Sequence, residues 1–92
     1  MITLSAKLTF FIPYAASLKD KRQIRRSLIE KTRCHFNASV AEVGTLDIHQ
    51  TLTIGIAVVS GENAHAQNSV DEIIRFMERN TEAELIEIEM EN

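Results

Sequence analysis

The chain has 92 residues, 45% of them hydrophobic and 25% charged, with a formal net charge of −3. This balance describes one folded domain, residues 1–92, with one modest core, and excludes a disordered chain. The single Cys, Cys34, excludes an internal disulfide, no apolar run nears the roughly 20 residues that cross a bilayer, and Met1–Lys7 has no signal-peptide pattern, so a cytoplasmic protein with no membrane partner is expected.

Residues 2–12 alternate. Ile2, Leu4, Ala6, Leu8, Phe10 and Ile12 point one way, and Thr3, Ser5, Lys7, Thr9 and Phe11 the other, which predicts a strand with one buried face. Pro13 has no N–H for a sheet ladder and ends it. Ser17 reads as a helix N-cap, with Asp20 three residues on as the capping-box acid. The helix is expected to run to about Phe36, with Asn37 stopping it in a left-handed turn.

Residues 38–44 and 50–60 read as two strands joined by a hairpin at Gly44-Thr-Leu-Asp47. In the second, Leu52, Ile54, Ile56 and Val58 alternate with Thr51, Thr53, Gly55, Ala57 and Val59. Ser60-Gly-Glu-Asn63 is a turn into a second helix, where Ala66, Val70, Ile73, Ile74 and Met77 form one apolar stripe and Asn80 fits the C-cap. Ala83 to Met90 is a last strand, with Ile86, Ile88 and Met90 inward and Glu87 and Glu89 outward.

The order β-α-β-β-α-β is satisfied most simply by a ferredoxin-like α+β sandwich. One antiparallel four-stranded sheet carries both helices on one face, with the first and third strands in the middle. The other sheet face would carry Thr9, Phe11, Thr51, Thr53, Gly55, Ala57 and Val59. That surface is uncharged and flat, with Lys7 near one end, which favours a homo-oligomer or another protein contact over simple solvation.

Charge is divided along the chain. Residues 17–33 hold seven Lys/Arg against Asp20 and Glu30, for a net +5, while residues 62–92 hold nine Asp/Glu against Arg75 and Arg79, for a net −7. Such a dipole suits an anionic partner at one end or head-to-tail self-association. At roughly 100° per residue, Lys19, Arg22, Arg26 and Arg33 share one narrow outward stripe, while Leu18, Ile24, Leu28, Ile29 and Phe36 define the core side. Four cations on one helix edge can follow a phosphate backbone, so these four are the candidate nucleic-acid-binding residues. Basic residues near a helix N-terminus oppose its dipole, so local stability does not explain Lys19 to Arg26. Lys21 and Arg25 point toward the core side, where they are expected to snorkel past the sheet edge, pair with an acid such as Glu42, or meet a second subunit.

Ser17-Leu-Lys-Asp-Lys-Arg22, Phe36-Asn-Ala-Ser-Val-Ala-Glu42 and Ile54-Gly-Ile-Ala-Val-Val-Ser60 together resemble the YlxP-like family of small bacterial proteins, a domain of unknown function. The resemblance covers essentially the whole chain. It implies a ferredoxin-like fold, a cytoplasmic bacterial setting and a gene neighbourhood of transcription and translation factors beside a ribosome-binding factor. It carries no activity and no catalytic residue. One departure is Arg25, where the family tends to be apolar; a guanidinium there enlarges the positive patch.

Little points to chemistry. Cys34 and His35 are adjacent and diverge by about 100° on a helix, so they read as a core-edge Cys and a helix-end His, not as metal ligands. Asp47 and His49 flank Ile48 and could share one side of a hairpin strand, but they lack a third partner. His65 lies near the start of the second helix and needs no special role. Acylphosphatases, which use this topology, need a glycine-rich, Arg-bearing loop after the first strand and an Asn on a central strand; Pro13-Tyr-Ala-Ala-Ser17 and the third strand offer neither. No phosphate- or nucleotide-binding glycine motif occurs. Only Phe11 could stack a base on the open face, so RNA contact is expected through the helix, by backbone and shape. The sequence therefore predicts a non-enzymatic binding protein without metal or cofactor, partnered by RNA or a ribosomal particle and by copies of itself, with no DNA sequence specificity.

Overall fold

The structure, a computed structural model, describes residues 1–91. Its elements are β1 (Ile2–Phe11), α1 (Leu18–His35), β2 (Ser39–Glu42), β3 (Thr51–Ser60), α2 (Asn63–Arg79) and β4 (Glu84–Glu91). The four strands form one antiparallel sheet in the order β2-β3-β1-β4, so the two longest apolar alternations lie in the centre. Both helices pack on one face, which makes this a ferredoxin-like α+β fold.

Period 2 in the strands and period 3.6 in the helices meet in one core. Leu8 and Phe10 of β1 and Leu52 and Ile54 of β3 are fully buried under Val70 and Met77 of α2. Each such side chain is worth about 1.5–3 kcal/mol of burial, far more than any surface contact described below. Ser17 caps α1 as expected, its Oγ accepting from the Asp20 N–H at 3.2 Å, while Asp20 Oδ2 reaches back to the Ala16 N–H at 3.0 Å. Asn80 closes α2, its N–H and Nδ2 both donating to the Phe76 carbonyl.

Three local expectations are corrected. The end of α1 uses no left-handed residue: Phe36 is already extended at φ −131°, ψ 145°, and the chain bends through residues 36–38 into β2. With Phe36 extended, its ring meets Phe76 in an edge-to-face contact at 5.3 Å, which adds packing at this end of the helix. Between β2 and β3 the chain forms an eight-residue loop, 43–50, in place of a tight hairpin. Within it Gly44 has φ +91°, a conformation disfavoured for other residues.

The third correction concerns β4. A register shift pairs Phe10 with Leu85 and Thr9 with Glu87, leaving Ile86 without an opposite residue. Leu85 takes the core position expected of Ile86. Ile88 and Met90 stand opposite Leu8 and Ala6 on the helix side, but β4 is an edge strand beyond the cover of α2. Ile86, Ile88 and Met90 are therefore 56%, 48% and 43% exposed.

Candidate nucleic-acid interface

Helix α1 is anchored by Leu28 and Ile29, with Thr32 also buried and its hydroxyl donating to the Leu28 carbonyl at 2.7 Å. Lys21 lies on the same face and is completely enclosed. Its ammonium sits 2.8 Å from Glu42 Oε2, with the two side chains 1% and 4% exposed. The Oε2 contact is ionic, without the direction of a good hydrogen bond. The directed hydrogen bonds of Lys21 go to the carbonyls of Thr45 and of Ile48, the latter at 2.7 Å. Arg25 Nη1 meets the other Glu42 oxygen at 3.2 Å. Burying a cation demands such compensation, and here one carboxylate and two loop carbonyls supply it. The pairing of Lys21 and Arg25 with Glu42 is as the sequence suggested; the clamp on the 43–50 loop was not foreseen.

With those two cations committed, the rest of the helix sorts by face. Lys19, Arg22 and Arg26 are exposed, and among the described residues none of them makes a salt bridge. Arg33 is exposed at one end of the row, yet its Nη2 donates to the Val40 carbonyl at 2.6 Å. That bond has a reason in the ladder. The Val43 N–H bonds Thr53, so residues 39, 41 and 43 face β3, while Val40 and Glu42 direct their backbone groups away from the sheet. Arg33 thus covers part of an open sheet edge. The row borders a groove of about 340 Å³ between α1 and β2, where Arg25, Arg26, Ile29, Glu30, Arg33 and Leu46 meet. Lys31 is exposed on another side of the helix.

The open sheet face differs from the uncharged surface that the sequence suggested. Lys7 stands opposite Gly55 and Glu89, in the body of the face and not at its end, and its Nζ pairs with Glu89 Oε2 at 3.0 Å. The hydrogen bond and charge of Glu89, with Glu91 and Glu87 nearby, hold the Lys7 ammonium above the ordinary lysine range. β4 therefore gives the face an acidic margin. Beside it runs a shallow trough of about 440 Å³ whose floor is small residues, among them Ser5, Ser39, Ala41, Gly55 and Ala57. A Cβ at Gly55 would come within 3.3 Å of Val43 Cγ1, a tight contact that the exposed Val43 side chain would have to yield to. Thr53 is buried although it lies on this face, because Thr45 of the loop folds over it and bonds its N–H and its hydroxyl, each at 3.0 Å.

The remaining candidates do not assemble into a reactive centre. Cys34 is exposed and not at the core edge. His35 packs against the Phe76 ring at 4.5 Å, and His65 Nδ1 lies 2.9 Å from the Ser60 hydroxyl. Asp47 and His49 are exposed in the 43–50 loop, not on a strand. Among the described residues no three His, Cys, Asp or Glu side chains are grouped to hold a metal ion, and no helix is long and apolar enough to cross a membrane.

Comparison with known proteins places the chain in a family and adds no activity. The model of a protein family of unknown function, DUF503, matches residues 3–90. The chain is also 30% identical over 70 residues to the uncharacterized protein YlxP of Bacillus subtilis (strain 168), covering 76% of each sequence. The family match across nearly the whole length, with this relative beside it, leads to one conclusion: the chain belongs to the DUF503 family.

Proposed function

We propose that this protein is a non-enzymatic, cytoplasmic RNA-binding protein that associates with RNA or a ribosomal particle through α1. The observation that carries the reading is the sorting of cations on that helix. Glu42 engages Lys21 and Arg25 beneath it, while Lys19, Arg22 and Arg26 stay exposed and without acidic partners among the described residues. The helix is held by its packed face, so these charges keep a fixed spacing along one edge. A row of that kind suits phosphates and carries no base readout, so affinity without sequence specificity follows. Arg33 extends the row with the part of its guanidinium not spent on Val40.

The test is sedimentation with ribosomal particles, and titration of single-stranded RNA, at two salt concentrations. About three phosphate contacts give a slope of log K against log salt near −2. Arg22→Glu/Arg26→Glu should abolish most of the binding. Binding that ignores salt, or none at low salt, removes the proposal.

A second reading makes the protein a homodimer or protein-interaction module through the open sheet face. The small-residue trough at Gly55, with Val59 65% exposed nearby, favours it, because such a surface admits close approach of another backbone.

A further inference from the structure

We propose that the chain self-associates head to tail, with the β4 edge of one copy docking against the β2 edge and flanking α1 of the next. The inference goes beyond RNA binding, though it uses some of the same arginines.

Both ends of the sheet are open, β2 at one and β4 at the other. The two edges differ in chemistry. β4 is eight residues long and leaves Ile88 and Met90 exposed on the helix side of the sheet, with Ile86 beside them at the bulge. This edge is apolar on its helix side and acidic on its open side, and its row of unpaired backbone groups can pair with a strand whose open side carries no acid. At the β2 end, on the same side of the sheet, lies the groove where Ile29 and Leu46 meet the stems of Arg25 and Arg26. Continuing the sheet from β2 into a neighbouring β4 carries Ile88 and Met90 of that neighbour to this groove.

Charge selects the pairing. On α2, Phe76 faces α1, where its ring meets His35 and Phe36. Buried Ile74 lies on the other flank, and Asp71 and Glu78, three residues before and four after it, share that flank toward β4. A head-to-tail joint therefore brings Asp71 and Glu78 of one copy beside Arg22 and Arg26 of the next. On the open face, Glu87, Glu89 and Glu91 of β4 meet Ser39, Ala41 and Val43, none of which is charged. The two symmetric alternatives lack this match. β4 against β4 sets rows of glutamates together, and β2 against β2 sets one arginine row against another; like charges across a strand pair are destabilising. A head-to-tail contact does not close on itself at two copies, so it builds a ring or an open chain.

The Arg33 guanidinium occupies the Val40 carbonyl in the free edge. A docking strand replaces it with a backbone N–H and releases the guanidinium for an acid. β2 has only four residues, so the overlap is short and the association weak and concentration-dependent.

The experiment is sedimentation velocity on nucleic-acid-free protein up to roughly millimolar concentration, the range that reports weak contacts. The expected result is an average mass that climbs past that of a dimer with concentration and falls back in high salt. Arg22→Glu/Arg26→Glu blocks the α1 side, and Ile88→Lys blocks the β4 side, with Met90→Lys as a second β4 variant if Ile88→Lys does not fold. Each alone should remain monomeric. An equal mixture should form a dimer and nothing larger, because one intact edge of each kind remains. A wild-type protein that stays monomeric, one that stops at a dimer, or blocked variants that fail to complement on mixing would each overturn the proposal. No RNA enters this readout, so failure of the RNA reading leaves it standing, and its own failure leaves RNA binding untouched.

Discussion

Lys21 of α1 and Glu42 of β2 form an ion pair at 2.8 Å in which neither side chain is more than 4% exposed. The pair joins the basic helix to the sheet edge, and the same ammonium holds two carbonyls of the 43–50 loop. One lysine thus fixes three pieces of chain relative to one another.

Removing one partner of this pair should be costly, because the other stays buried and charged. Glu42→Ala is expected to lose about 3 kcal/mol or more in urea unfolding. Lys21→Met/Glu42→Leu should cost less than the two single changes combined, since the fully buried pair goes as a unit and only Arg25, whose side chain is 28% exposed, loses its acid. Hydrogen exchange should nevertheless rise across residues 43–50 in that double variant, because the Thr45 and Ile48 carbonyls lose their donor. Equal additivity with an unaltered loop would show that Lys21 is not a clamp.

The glycines on either side of β3 should respond oppositely to alanine. Gly44 has φ +91°, so Gly44→Ala should destabilise by about 1 kcal/mol although nothing stands within 4 Å of the added carbon. Gly61 has equally open surroundings and no positive φ, so Gly61→Ala should be neutral or slightly stabilising. Thermal unfolding of the two variants side by side reads the difference.

Charge reversal on the outward row should leave the fold alone. Arg22 and Arg26 are exposed and contribute to no salt bridge among the described residues, so Arg22→Glu/Arg26→Glu should shift unfolding by no more than about 0.5 kcal/mol per site. Ser17→Ala, which removes the α1 cap, should cost about 1 kcal/mol by comparison. A large loss of stability in the double reversal would mean that any binding defect reports unfolding.

Lys7 should titrate above the ordinary lysine range, and Glu89→Gln should lower its midpoint, as followed by NMR of the side-chain amine. The sign follows from linkage. A lysine raised in the folded state stabilises it below the unfolded value, and that contribution disappears as pH rises through the folded one. The effect is therefore confined to strongly alkaline solution. An unchanged midpoint in Glu89→Gln would assign the shift to Glu87 and Glu91 instead.

Alternation and helical spacing determined most of the fold before any tertiary contact was known. Leu8, Phe10, Leu52 and Ile54 were legible as core because period 2 places them on one side of their strands. Val70 and Met77 were legible because period 3.6 does the same on a helix. The division of the basic helix was legible too, since angular position alone separates Lys19, Arg22 and Arg26 from Lys21 and Arg25.

Sheet order and register decided the rest. The alternation of Ile86, Ile88 and Met90 says that one side of β4 is apolar, yet only the bulge opposite Thr9 and Phe10 and the strand's place at the edge leave those residues uncovered. Likewise, no local pattern places Glu87, Glu89 and Glu91 beside Lys7 on the open face, because they lie 80 to 84 residues from it in sequence. Nor does any pattern show that Arg33 would spend part of its charge on the Val40 carbonyl. Such facts depend on which backbone groups remain unpaired and which faces remain uncovered once all four strands are in place, and that is a property of the assembled sheet, not of any one segment.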